Sequence, residues 1–101
     1  MIYVIATIEL HAGRKEDFLK ILLYNVRNVK AEKGCLRYEP TVDIDSGIPI
    51  QGTLRPDVVT LVEAWESLED LHRHLQTPHM ATYRDNVKDL VKQVTLQVLQ
   101  P

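Results

Sequence analysis

The feature that most constrains this chain is a change of hydrophobic period. Ile2, Val4, Ala6, Ile8 and Leu10 recur at every second residue, as one face of a strand requires. After Gly13 the repeat lengthens. Phe18, Ile21, Leu22, Asn25, Val26 and Val29 share one side of a helix that spans about Arg14 to Lys33. Gly34, free to take the left-handed conformation, stops it. A second strand follows from Cys35 to about Ile44, with Leu36, Tyr38, Pro40, Val42 and Ile44 on one face. Pro40 cannot donate a ladder hydrogen bond, so this strand belongs at an edge or carries a bulge. Val58–Trp65 is a third strand with apolar residues on both faces: Val58, Val62 and Ala64 against Val59, Leu61 and Trp65. Ser67 caps a helix with Asp70 three positions on and Leu68, Leu71 and Leu75 as its stripe. Thr77-Pro78 opens another short helix, which runs to about Leu90. Lys92–Leu99 closes the chain as a strand with Val94, Leu96 and Val98 on one face. This order predicts an α+β fold: a ferredoxin-like βαββαβ antiparallel sheet with its helices on one face.

At 101 residues the chain suits a single domain, residues 1–101. An apolar content of 45% with 26% charged residues fits a globular protein and excludes a disordered tail. No apolar run approaches a membrane span, and the first residues do not read as a signal peptide. The net charge is −2 with no basic stripe, which argues against nucleic acid as a partner. Cys35 is the sole cysteine, so neither an internal disulfide nor a cysteine-cluster metal site can form, and a cytoplasmic location fits best. The first and third strands carry apolar residues on both faces, whereas helices cover one. A second copy packed on the other face, giving a homodimer, resolves that exposure. The segment Asp45–Asp57 is long for a connection and holds Ile48, Ile50 and Leu54, so it is expected to cover a pocket or grip a partner.

The groups able to do chemistry are few. His72 and His74, two apart on a helix, point to nearly opposite sides and cannot easily share a metal, so no metal site is expected. His74 lies between Leu71 and Leu75. There it is either a passive hydrogen-bonded histidine or a proton acceptor that titrates near neutrality. Trp65 is either core or an indole donor at a cavity wall. Asn25, an amide on an apolar stripe, either bonds a neighbouring carbonyl or faces a ligand. Tyr24, Tyr38 and Tyr83 can pack or donate, and Tyr83 lies one turn beyond His79. Glu63 reads as an edge or interface carboxylate, and Cys35 as an inert structural thiol. No Walker loop or GxGxxG is present, so no flavin or nicotinamide cofactor is suggested.

Several of these residues also form a pattern. Gly34-Cys35-Leu36 with Tyr38, Glu63-Ala64-Trp65, and His74-Leu75-Gln76-Thr77-Pro78-His79 resemble, in order and spacing, the antibiotic-biosynthesis monooxygenase family. The Asp43–Asp57 insert, the Gln76-Thr77-Pro78-His79-Met80 run and the ending Leu99-Gln100-Pro101 look most like its bacterial quinol monooxygenase branch. The resemblance implies a dimeric α/β barrel with facing sheets and a pocket between sheet and helices. It further implies oxidation of a quinol or polyhydroxylated aromatic, such as menadiol, by O₂ without metal or flavin. Carried over residue by residue, Trp65 and His74 are pocket residues, followed by His79 and Tyr83. Haem degradation, found in related proteins, is disfavoured by Thr7 on the first strand and Arg84 near the ligand position. With His74 as general base, Trp65 and Asn25 would position the substrate oxygens. Two other readings suit the same scaffold: a non-catalytic protein that binds small aromatics, and an isomerase of a small metabolite. The dimer could also pair into a larger assembly.

Overall fold

The computed structural model describes residues Met1–Pro101. Four strands, β1 (Ile2–Leu10), β2 (Cys35–Thr41), β3 (Val58–Trp65) and β4 (Val91–Leu99), form one antiparallel sheet in the order β2-β3-β1-β4. Helix α1 (Lys15–Lys30) joins β1 to β2, and α2 (Leu68–Leu75) and α3 (Pro78–Val87) join β3 to β4. This is the expected ferredoxin-like α+β fold, with the second helix in two pieces. Strand β2 is an edge, which accommodates Pro40 opposite Leu61 without loss of an interior ladder bond.

Register decides which residues meet under the helices. Val4 pairs with Glu63, which pairs with Tyr38, and Ala6 pairs with both Leu61 and Leu96. Directly paired residues share a face, so Glu63 points inward with Val59, Leu61 and Trp65. Phe18, Leu22 and Val29 of α1, Leu71 of α2, and Met80, Tyr83 and Val87 of α3 close over that face. Val94, Leu96 and Val98 of β4 lie on the same face but stay about half exposed, because the helices do not extend over this edge.

Several boundaries differ from expectation. Helix α1 ends at Lys30 rather than near Lys33, and residues 31–34 form a turn. Gly34 takes φ +81°, and a Cβ there would collide with the Asp70 carboxylate, so both conformation and space demand glycine. Strand β2 stops at Thr41, leaving Val42 and Ile44 exposed. Helix α3 stops at Val87 rather than near Leu90. In α2 the buried residues are Asp70, Leu71 and His74, while Leu68 and Leu75 stay at the surface. Residues 42–57 form an irregular excursion clasped at its base by Arg55, whose Nε and Nη2 donate to Asp43 at 2.9 and 2.8 Å. No helix is long and apolar enough to cross a membrane.

Candidate active site

A cavity of about 230 Å³ opens between the inner sheet face and helices α2 and α3. Its walls are mainly apolar, with Ala6, Ile8, Leu61 and Leu96 from the sheet and Met80 from α3. Tyr38, Glu63, His74, Tyr83 and Arg84 supply its polar groups. A larger hollow of about 390 Å³ beside residues 53–58 is open and contains no histidine.

Glu63 is 5% exposed, on a central strand, and its oxygen accepts a hydrogen bond from the Trp65 indole at 3.0 Å. Burial pushes its carboxyl up to about 7, against the downward pull of the indole N–H; the charge of Glu32 adds to the rise. The expectation of an edge or interface carboxylate is therefore corrected. Glu63 shares the parity of Val59, Leu61 and Trp65, and that parity carries it inside.

His74 is 2% exposed and sits between aromatic rings. The Trp65 ring lies 4.7 Å from it, tilted by 34°, and the Tyr38 ring meets it edge-on at 5.6 Å. Its Nδ1 lies 2.9 and 3.2 Å from the two oxygens of Glu32. An ionised carboxylate only accepts, so Nδ1 carries the proton and Nε2 is left as the acceptor. Burial lowers the basicity of His74, while the hydrogen bond and charge of Glu32 act the other way. Tyr38 and Tyr83 have their phenol pKa values raised, chiefly by burial, so both remain O–H groups at neutral pH. Burial also raises the Cys35 thiol, in keeping with a structural thiol.

The residues singled out in the sequence divide into three groups. His74, Tyr38 and Tyr83 line the cavity. Trp65, fully buried, stands behind it, stacked on His74 with its N–H committed to Glu63. Asn25, Tyr24 and His79 instead border a separate shallow hollow of about 160 Å³, which Tyr83 also touches. There the Asn25 amide donates to the Met80 sulfur at 3.5 Å and accepts from Asn28 at 3.0 Å. Tyr24 is 70% exposed beneath the Arg27 guanidinium. No residue of 42–57 borders the cavity, so a covering role for this segment finds no support in the fold. Sequence reasoning missed Glu32. The signal was present, because position 32 continues the spacing Asn25, Val29 beyond the last helical turn.

A model of the antibiotic biosynthesis monooxygenase family matches residues 1–86. The probable quinol monooxygenase YgiN of Escherichia coli K12 is 38% identical, over all of this chain and 98% of its own. YgiN of Shigella flexneri gives the same values. Among solved structures, PA3566 of Pseudomonas aeruginosa superposes with a TM-score of 0.81 at 25% identity, covering 99% of this chain and 92% of that one. Rv0793 of Mycobacterium tuberculosis gives 0.80 at 25% identity, with 99% and 93% covered.

Proposed function

Because this chain belongs to the antibiotic biosynthesis monooxygenase family, and is thereby an oxidoreductase of the monooxygenase type, we propose that it oxidises a small quinol with O₂ in the cavity bounded by His74 and Glu63. The observation that carries this reading is the pairing of two proton-accepting groups on one apolar space. A quinol gives up hydroxyl protons as it is oxidised, and its deprotonated form is a far better one-electron donor. His74 Nε2 takes the first proton and forms an imidazolium opposite Glu32. Glu63, poised near neutrality, is the second acceptor. The Tyr38 and Tyr83 hydroxyls position the substrate oxygens, and Trp65 acts through Glu63 and His74. The substrate supplies the electrons; in a monooxygenation one atom of O₂ enters the product and the other leaves as water. A cavity of about 230 Å³ is small for a ligand site, which favours one or two fused rings over a polycyclic substrate. No metal or flavin enters this scheme.

The same proposal includes a homodimer formed through the outer sheet face. Tyr3 and Leu99 are exposed on that face and Ile5 and Val62 are half-buried. The exposed Ile44, Ile48 and Ile50 of the excursion would grip the second subunit. The single thiol accords with a cytoplasmic setting.

Oxygen uptake tests the chemistry. With reduced menadiol and metal-stripped, flavin-free protein, uptake should exceed autoxidation, and His74→Ala should lower it by about 10²–10⁴-fold, the usual worth of a general base. Product analysis separates insertion of oxygen from simple oxidation. Uptake equal to background from folded protein would overturn the menadiol reading, and wild-type uptake by His74→Ala would remove the base.

A further inference from the structure

One carboxylate in this fold serves two histidines. Glu32 lies in the turn between α1 and β2, and its side chain is 13% exposed. Its Oε2 is 2.9 Å from His74 Nδ1 at the cavity wall. The same oxygen is 3.0 Å from Nε2 of His79, on the first turn of α3 at the separate hollow. The His79 ring is 25% exposed, and its Nδ1 is buried without a hydrogen-bond partner.

From this arrangement we infer that Glu32 is a positioning residue: it holds His74 in the tautomer that presents Nε2 to the cavity, and His79 competes for the same carboxylate and so sets the strength of the base. The inference rests on His74 being the base. Two physical steps support it. A carboxylate on Nδ1–H leaves Nε2 as the accepting nitrogen and stabilises the imidazolium formed when a proton arrives. A protonated His79 on the same oxygen both draws off that carboxylate and repels the imidazolium, so His79 opposes the effect of Glu32. The remaining titratable or charged groups facing His74 are Tyr38 from β2, Glu63 from β3, and Tyr83 and Arg84 from α3. Both phenols stay neutral at working pH, and Arg84 donates to the Leu75 carbonyl at 3.0 Å. Of these, Glu63 titrates in the same range and is itself raised by the Glu32 charge, so the imidazole midpoint of His74, read directly below, separates the two.

The expected signature is a pair of shifts of opposite sign. If His74 must be neutral to accept a proton, turnover rises with pH through its pKa. Glu32→Gln removes the charge that favours the imidazolium but keeps an oxygen for Nδ1–H. It should move the acid limb of the pH profile down by about one pH unit and lower the plateau about tenfold. His79→Gln removes the competing imidazole, and should move the limb up, the shift opposite in sign to that of Glu32→Gln. Glu32→Ala, which also removes the acceptor, should lower the plateau further than Glu32→Gln. Nitrogen-15 NMR of the imidazoles in the full chain reads the same groups without substrate. It should show His74 protonated on Nδ1 in the wild type and in Glu32→Gln, a mixture of tautomers in Glu32→Ala, and midpoints that shift as the limbs do. Dispersed spectra from each variant confirm folding. Limbs and midpoints that stay in place in both Glu32→Gln and His79→Gln, while His74→Ala is inactive, overturn the shared-carboxylate inference and leave the base intact. Wild-type turnover by His74→Ala overturns both.

Discussion

Two carboxylates of this chain stand about five pH units apart. Asp43, at the mouth of the 42–57 excursion, is pulled down to about 2 by the Arg55 guanidinium that grips it on two sides. Glu63, on the inner face of β3, is pushed up to about 7, because the single indole N–H of Trp65 does not make up for lost water. Asp70 is the intermediate case. It is 6% exposed but lies closer to the surface than Glu63, and Arg73 at 2.7 Å and the Ser67 hydroxyl at 3.0 Å hold its pKa below the ordinary carboxylate value. What separates them is compensation: a carboxylate fully answered by donors or charge is structural, and one left partly unanswered stays available for proton exchange.

The comparison can be broken at its strongest point by removing the Glu63 charge. Its pKa is raised on folding, so the folded state holds its proton where the unfolded chain has already released it. The Glu63 contribution to stability therefore falls as pH rises from about 4.5 to about 7, by about 3 kcal/mol, and levels off above, against the opposite contribution of His74, whose pKa is lowered on burial. Glu63→Gln should flatten that slope and be the more stable protein at pH 8, as read from urea midpoints across pH. Ser67→Ala sharpens the middle case. It removes the cap bond to the Asp70 N–H and one donor to the carboxylate, and should cost about 1 kcal/mol in thermal unfolding. Asp43→Asn should change least. The clasp is an exposed ion pair, worth little in water, and its small contribution is present at neutral pH and lost as pH falls toward 2, so the midpoint at pH 7 should barely move. Faster exchange of the Arg55 amide, which donates to Asp43 at 2.9 Å, should report the opened clasp.

Most of the fold was legible because periodicity reports burial. The alternation in β1, the stripe Phe18–Leu22–Val29 and the edge position required by Pro40 all carried through to the structure. The site was legible in part. His74 and Trp65 stand together, but local spacing could not show that Trp65 faces Glu63 or that Glu32 reaches His74 across 42 residues of chain. Asn25 and Tyr24 show the reverse limit. One is buried on its helix with its amide spent on Met80 and Asn28, and the other points outward, so a place near the stripe did not bring either to the cavity. In α2 a leucine stripe predicted Leu68 and Leu75 inside. The Ser67 cap and the space over Gly34 instead turn Asp70 and His74 inward.

The division of the second helix at Thr77-Pro78 has a consequence for how the cavity fills. Thr77 caps α3 through the Met80 N–H at 3.3 Å, and Pro78 has no N–H to continue α2. Each piece, 8 and 10 residues long, is too short to persist alone and holds its shape by packing on the sheet. Opening this wall is therefore a local unfolding event, with a free energy below that of the central strands β1 and β3. A molecule that occupies the cavity binds the closed wall and not the open one, so occupancy and the order of these two helices are thermodynamically linked. Amide protection across α2 and α3 should then rise by the factor 1 + [L]/Kd, which makes hydrogen exchange at this wall a direct gauge of binding affinity.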